Sequence, residues 1–145
     1  MRENNCPSDR WAWVEIDLGA VRFNVRAFKK QLESGVRMMC VVKADAYGHG
    51  LLPLAQAALG AGADWLGVAQ LAEAFELRVG LDNAGIARDS APILAWISTT
   101  GSDFESAIRA DIDLSVSWTW VLDEICAAAR LCGRPARIHV KVDTG

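Results

Sequence analysis

The stretch whose residues could most clearly carry out chemistry covers residues 38–50, which read M-M-C-V-V-K-A-D-A-Y-G-H-G. Residues 38–42 form an unbroken apolar run, and its length and β-branched content predict a strand buried on both faces of a parallel sheet. Lys43 follows this run directly. A lysine amine held in a low dielectric gives up its proton more readily and can attack an aldehyde as a nucleophile. The alternative is an ordinary exposed lysine at a strand end, because lysine is seldom buried.

The parity of this predicted strand decides where the amine points. Successive side chains alternate between faces, so Met39, Val41 and Lys43 share one face and Cys40 and Val42 share the other. In α/β barrels the chemistry lies at the carboxyl ends of the strands. If the first face lines a barrel lumen, the Lys43 amine points inward near its mouth.

The elements around Lys43 are predicted to alternate between strands and helices. Residues 11–17 are interpreted as a strand, and the apolar spacing from Leu18 to Leu32 predicts a helix that Gly35 ends. Five strands are predicted from the lysine strand onward, starting at residues 38, 65, 93, 113 and 137. This order implies right-handed crossovers and a parallel sheet. A doubly wound open sheet could also use five strands, but no glycine-rich phosphate fingerprint opens the first helix.

Local signals set further element boundaries. Residues 71–79 have a helical pattern, and residues 80–91 are interpreted as a long loop because they show no period. Ser102 and Glu105 have the S-x-x-E spacing of a capping box. The apolar face of residues 121–132 predicts a helix that ends at Gly133.

The last predicted strand, residues 137–143, has one apolar and one charged face. An isolated buried charge costs several kcal/mol, so the charged face must look into a polar cavity, which in a barrel is the lumen. An edge strand with a solvated face explains the pattern equally well. The charged face consists of Arg137, His139, Lys141 and Asp143.

Composition excludes several classes of protein. The chain has 145 residues, 52% of them hydrophobic, and a net charge of −3, which fits one domain with a buried core. The sequence has no cluster of lysine and arginine, which argues against a nucleic-acid partner. It also has no apolar run of about 18 residues, so no membrane span is predicted. Residues 1–10 form a polar tail without the apolar segment of a secretory signal, so a cytoplasmic location is expected.

Cysteines and histidines give no sign of a metal site. The two histidines, His49 and His139, have no second ligand at metal-binding spacing, so no metal is expected. No C-x-x-C pair occurs, and reduced core thiols are expected instead of disulfides. The four cysteines are Cys6, Cys40, Cys126 and Cys132.

The segment Lys43-Ala44-Asp45-Ala46-Tyr47-Gly48-His49-Gly50 closely resembles the pyridoxal-phosphate lysine motif of alanine racemases. The resemblance implies the α/β class and a (β/α)8 barrel of the TIM type, incomplete here with about five parallel strands alternating with helices. It also implies pyridoxal 5'-phosphate as cofactor. In that family the lysine matching Lys43 forms the aldimine and acts as one of two racemisation bases, and the tyrosine matching Tyr47 reaches the cofactor phosphate. His49 is expected to be a structural hydrogen-bonding residue rather than a catalytic one.

A second resemblance lies at the carboxyl end, in His139-Val140-Lys141-Val142-Asp143-Thr144-Gly145. The lysine matching Lys141 is carbamylated in many alanine racemases, which makes Lys141 a possible carbamylated lysine. Residues 11–145 are therefore interpreted as the truncated amino-terminal part of such a barrel. The family's remaining strands would lie beyond Gly145, as would a carboxyl-terminal domain that supplies the second base, a tyrosine, to the partner subunit.

The resemblance implies an isomerase that interconverts L-alanine and D-alanine through a pyridoxal-phosphate aldimine and supplies D-alanine for cell-wall peptidoglycan. A small amino acid is the expected substrate, and a homodimer is expected for the full-length enzyme. The chain alone is expected to be inactive, because it lacks a base for the opposite face of the substrate. Two alternatives stay open. The first is another enzyme, either a related serine or broad-specificity amino-acid racemase or a barrel decarboxylase. The second is a non-catalytic pyridoxal-phosphate-binding remnant.

Overall fold

The computed structural model describes residues 11–145, so the predicted polar tail, residues 1–10, lies outside the described residues. The described chain forms one parallel five-stranded sheet in the order β1-β2-β3-β4-β5. Each strand pairs with the next along the chain, as the strict alternation predicts. The strands are β1 (Met39–Val41), β2 (Trp65–Gln70), β3 (Ile93–Ile97), β4 (Ile112–Val116) and β5 (Ile138–Val140).

Helical segments separate the strands and pack on the sheet or on each other. A short 3-10 turn, Arg88–Ser90, precedes β3. The helix that precedes β1 packs on the helix that precedes β2. The helical segments are α1 (Leu18–Lys29), α2 (Lys43–Gly48), α3 (Leu51–Leu59), α4 (Leu71–Asn83), α5 (Phe104–Arg109) and α6 (Thr119–Cys132).

The two faces of the sheet have different environments. The helix-covered face carries the core: Leu66, Ile93 and Leu114 are wholly buried there and pack with Leu77 and Leu81 of α4. Their burial removes large apolar side chains from water and is the main favourable contribution to folding. The opposite face, called the inner face below, carries Met39, Val41, Trp65, Gly67, Leu94, Trp96, Asp113, Ser115 and His139.

The predicted strand over residues 11–17 is wrong. These residues have no assigned secondary structure and pair with no strand of the described chain, and Trp11 is fully exposed. Polar and apolar alternation predicts a strand only where a neighbour completes the hydrogen-bond ladder. The segment instead ends in Asp17, whose carboxylate caps α1 by accepting a hydrogen bond from the Ala20 amide at 3.0 Å.

The predicted loop over residues 80–91 is too long, because α4 continues to Asn83. Leu81 is wholly buried and extends the apolar face of the helix by one turn. Glycine stands at position 80 inside the helix because a side chain there would crowd α3: a Cβ would lie 3.0 Å from Leu52 Cδ1. Glycine therefore marks a close helix contact here, not a helix end.

The predicted Ser102–Glu105 capping box is also wrong. Asp103 caps α5, and its carboxylate accepts a hydrogen bond from the Ser106 amide at 2.9 Å. Ser102 accepts instead from the Thr99 amide at 3.0 Å, and Glu105 pairs with Arg109 at 2.7 Å. The other helix end stands as predicted, since Gly133 ends α6 with a left-handed φ of 65°.

Asp111 is the centre of an arginine network at the amino-terminal end of β4. Its carboxylate pairs with Arg88 at 3.4 Å and with Arg134. Its carbonyl accepts hydrogen bonds from Arg137 at 3.0 Å and from the buried Arg78 at 3.3 Å. Asp111 also has a φ of 54°, a left-handed conformation that aspartate and asparagine tolerate better than most residues.

We expect Asp111→Ala to lower the free energy of unfolding by about 1–3 kcal/mol, because it removes two partly exposed ion pairs and strains the left-handed backbone. Asp111→Asn keeps the conformational tolerance and loses only the charge, so its cost should stay below about 1 kcal/mol. Urea unfolding of the three proteins checks this order. Equal costs for the two variants would show that backbone strain at Asp111 contributes nothing.

Asp64 joins the end of α1 to the start of β1. Its Oδ2 accepts a hydrogen bond from the Met38 amide at 2.7 Å and is paired with Lys29. The Lys29 ammonium and the Met38 amide hold the pKa of Asp64 below its ordinary value of 3.8. A depressed carboxyl pKa adds stability above the ordinary value, and this stability is lost as the pH falls through the folded-state pKa.

Asp64→Asn should therefore destabilise the chain at pH 7, and its deficit relative to wild type should shrink as the pH falls below 3.8. Chemical denaturation between pH 7 and pH values below 3.8 measures the deficit. Asp123→Asn is the matched control, because Asp123 is an exposed residue of α6. A deficit for Asp64→Asn that stays constant over the whole range would contradict the linkage.

Candidate active site

Lys43 lies directly after the last buried residue of the β1 segment. Val42 is wholly buried and its amide extends the strand ladder by donating to the Gly67 carbonyl at 2.8 Å. Val41 is 40% exposed, so the expectation of a strand buried on both faces is wrong. The cause is the inner face, which no helix of the described chain covers. The predicted parity is confirmed within β1, where Met39 and Val41 register with Trp65 and Gly67 on the inner face and Cys40 registers with the buried Leu66.

Four consecutive residues after Lys43 adopt the left-handed conformation. Their φ values are 51°, 53°, 53° and 56° for Ala44, Asp45, Ala46 and Tyr47. This conformation costs roughly 1–2 kcal/mol per residue for L-amino acids other than glycine. The segment, called the left-handed turn below, therefore persists only because neighbouring groups hold it. No residue type predicts this conformation, since none of the four residues is glycine.

Hydrogen bonds within residues 42–51 hold the turn from one side. The Ala46 amide donates to the Val42 carbonyl at 2.9 Å. The Asp45 carboxylate accepts from the Leu51 amide at 2.6 Å, and Leu51 is the first residue of α3. His49 Nδ1 lies 2.8 Å from the Ala46 carbonyl, which agrees with the structural role expected for this histidine. The turn is thus tied to both β1 and α3.

Glu73 holds the turn from the other side, and sequence reasoning missed it. Its Oε1 accepts from the Ala44 amide at 2.6 Å, and its Oε2 accepts from the Ala69 and Gln70 amides at 2.9 Å each. Burial raises the pKa of Glu73, but these amides and the charge of Lys43 together lower it. The signal that could have found Glu73 is its place three residues after Gln70, which is capping-box spacing at the start of α4.

Lys43 and Tyr47 come together at the carboxyl edge of the sheet. Lys43 Nζ lies 5.9 Å from the centre of the Tyr47 ring, and Lys43 is half-buried. Tyr47 is 59% exposed, so its hydroxyl is accessible to a ligand. An amine beside a phenol, at the edge where α/β barrels place their chemistry, can bind an aldehyde that carries an anionic group.

The inner face below Lys43 is packed by large side chains around a glycine. A Cβ on Gly67 would lie 2.9 Å from Met39 Sδ and 2.9 Å from Trp96 Cζ3. Gly67 is the register partner of Val41, two residues before Lys43. Glycine is therefore required at this point for Met39 and Trp96 to approach each other across β2.

The charged face of the last strand turns toward the inner face. Asp113, with a side chain only 1% exposed, accepts hydrogen bonds from Trp65 Nε1 at 2.9 Å and Arg137 Nε at 2.7 Å, and it lies 3.1 Å from His139 Nε2. The cluster gives β5 a polar partner, although the strand is shorter than the predicted residues 137–143. Lys141 is exposed just beyond β5, and three strands separate β5 from β1 and Lys43.

Residues 11–145 contain no helix long and apolar enough to cross a membrane. The same described range contains no cluster of histidine, cysteine and acidic residues able to hold a metal ion. Cys40, Cys126 and Cys132 are free thiols, as expected, whereas Cys6 lies outside the described residues. Burial raises the pKa of the Cys40 thiol, in line with a packing role.

Comparisons with a family model, with related sequences and with solved structures all point to one family. A family model described as "Alanine racemase, N-terminal domain" matches residues 16–145. The alanine racemase of Beutenbergia cavernae is 52% identical over 130 residues, which are 90% of this chain and 32% of that protein. Among solved structures, alanine racemase from Streptomyces coelicolor matches with a TM-score of 0.82 at 46% identity, covering 90% of this chain and 33% of that chain. The enzyme from the D-cycloserine producer Streptomyces lavendulae matches with a TM-score of 0.80 at 52% identity, covering 90% and 32%.

The chain thus spans about a third of the length of the relatives it matches. Its five parallel strands with alternating helices confirm the predicted fold class, an incomplete (β/α)8 barrel. The family match covers the lysine segment and the last strand alike. On sequence and structure together, the chain belongs to the alanine racemase N-terminal domain family.

Proposed function

We propose that this chain is the pyridoxal-phosphate-binding part of an amino-acid racemase that interconverts L-alanine and D-alanine. The observation that carries the proposal is Lys43 at the carboxyl end of β1, followed by a left-handed turn that Asp45, His49 and Glu73 hold. The relatives of this chain from Beutenbergia cavernae and Streptomyces coelicolor carry the name alanine racemase, which supports the same activity here.

The residues present fit pyridoxal 5'-phosphate by the chemistry of their donors. The Lys43 amine would bind the aldehyde carbon, and the accessible Tyr47 hydroxyl would donate a hydrogen bond to a phosphate oxygen. When bound, this cofactor supplies an electron sink that stabilises the carbanion formed as the substrate loses its α-proton. Lys43 would then hold or return the proton at Nζ on one face of the substrate.

Racemisation needs a second base on the opposite face of the α-carbon. By the family resemblance this base is a tyrosine, and the one tyrosine of the chain, Tyr47, is already assigned to the phosphate. We therefore assign the second base to a residue outside this chain, in a homodimer whose partner completes the site. Lys141 belongs to the proposal as a possible carbamylated lysine, because residues 139–145 resemble the family segment whose lysine carries that modification. A cytoplasmic location and a role in supplying D-alanine for peptidoglycan complete the proposal.

Covalent attachment of the cofactor tests the role of Lys43. The chain is mixed with pyridoxal phosphate and reduced with borohydride, and the modified peptides are identified by mass spectrometry. We expect the phosphopyridoxyl group on Lys43, its loss in Lys43→Ala, and its retention in Lys30→Ala, which removes an exposed lysine at the end of α1. Tyr47→Phe should raise the half-saturating cofactor concentration about tenfold, because one hydrogen bond to a charged group is lost. Equal labelling of many lysines would contradict the proposal.

Activity assays test the substrate and the need for a partner. The 145-residue chain alone should not racemise alanine, serine or lysine, because the proposal places in it a base for only one face. A version extended to the length of its relatives should racemise alanine with the highest kcat/KM of the three amino acids. Faster racemisation of serine or lysine would instead assign the protein to a related racemase. Turnover by the chain alone would overturn the assignment of the second base.

A further inference from the structure

We propose that Glu73 is a positioning residue for Lys43: its carboxylate fixes the peptide bond between Lys43 and Ala44 and thereby sets the direction of the lysine side chain. The inference rests on the proposed function, in which Lys43 must present Nζ to an aldehyde in one orientation. Glu73 belongs to α4, so a different helix controls the residue that follows β1.

The first observation is the contact with the turn itself. The Ala44 amide belongs to the peptide bond that follows Lys43, and it donates to Glu73 Oε1 at 2.6 Å. Ala44 is also the first residue of the left-handed turn, with a φ of 51°. The opening amides of a helical turn have no partner within the turn and need one from elsewhere. Glu73 supplies that partner at the point where the backbone leaves Lys43.

The second observation is that the carboxylate is itself held firmly. Glu73 Oε2 accepts hydrogen bonds from the Ala69 and Gln70 amides, each at 2.9 Å. A capping box requires only the bond from Gln70, so the bonds from Ala69 and Ala44 go beyond ordinary capping. One carboxylate therefore braces the junction of β2 and α4 against the peptide bond after Lys43.

The third observation is the charge of Glu73. Burial raises its pKa, but the amides of Gln70, Ala44 and Ala69 and the charge of Lys43 outweigh burial and lower it. Glu73 is thus ionised at neutral pH, and hydrogen bonds to an ionised acceptor are the shorter and stronger kind. A neutral glutamine at this position keeps a single carbonyl acceptor and cannot serve both sides of the brace equally.

The test uses the 145-residue chain with Glu73→Ala and Glu73→Gln, and Glu76→Gln as the matched control on the exposed side of α4. Circular dichroism first checks that each variant is folded. Hydrogen exchange followed by NMR then measures the Ala44, Ala69 and Gln70 amides. A third measurement compares two labels on Lys43: pyridoxal phosphate, which needs a defined amine direction, and acetic anhydride, which does not.

In Glu73→Ala we expect exchange of the Ala44 amide to accelerate at least about tenfold, because its charged acceptor is gone. Pyridoxal-phosphate attachment to Lys43 should slow about tenfold, whereas acetylation of Lys43 should change less than about twofold, since only the oriented reaction depends on the brace. Glu73→Gln should recover part of both effects, and Glu76→Gln should match wild type.

Three results separate the possibilities. Faster exchange at Ala69 and Gln70 with no change at Ala44 would overturn the proposal and leave Glu73 as a cap of α4. A parallel fall of both labels on Lys43 would also overturn it, because loss of structure and not of direction would explain the data. Failure of pyridoxal phosphate to attach to Lys43 in the wild-type chain would defeat the proposed function. Faster Ala44 exchange in Glu73→Ala would then still establish the brace.

Discussion

The left-handed turn after Lys43 is the constraint on which the site depends. At roughly 1–2 kcal/mol per residue, its four non-glycine residues carry a backbone cost of several kcal/mol. Hydrogen bonds to charged groups return about 1.5–3 kcal/mol each, less where solvent competes. The carboxylates of Asp45 and Glu73 make such bonds to the Leu51 and Ala44 amides, and they offset a large share of that cost. The direction of Lys43 is therefore set by contacts from α3 and α4, not by local preference.

Stabilising contacts lie at one end of the parallel strands, and the candidate reactive residues lie at the other. At the amino-terminal end, Asp111 gathers arginines into a network that joins the loops before β3, β4 and β5. At the carboxyl-terminal end, the Glu73 carboxylate accepts a hydrogen bond from the Ala44 amide of the strained turn, and the Asp45 carboxylate of the turn accepts one from the Leu51 amide of α3. α/β barrels show the same division, with catalytic residues at the carboxyl-terminal face and stabilising residues at the other. The helix-covered core lies between the two ends and fixes their positions relative to each other.

Sequence reasoning succeeded where a signal was local and periodic. The alternation of strands and helices, the end of α6 at Gly133 and the place of Lys43 after an apolar run all follow from such signals. It failed where long-range contacts decide. Gly80 continues a helix because Leu52 packs on it, and residues 11–17 form no strand because none in the described chain pairs with them. The roles of Lys43, Tyr47 and Lys141 stay predictions, because they concern a cofactor and a modification that geometry alone does not reveal.

Glu73 shows why the site could be only half predicted. Its spacing from Gln70 is a local signal and indicates a helix start, but nothing in the sequence relates position 73 to position 44. That relation arises because β1 and β2 are parallel neighbours, so the residues that follow them meet at one edge of the sheet. A carboxylate at the start of α4 then lies within reach of the peptide bond after Lys43. A change that shifts α4 against β2 also moves the Glu73 carboxylate, which couples the packing of the core to the orientation of the Lys43 amine.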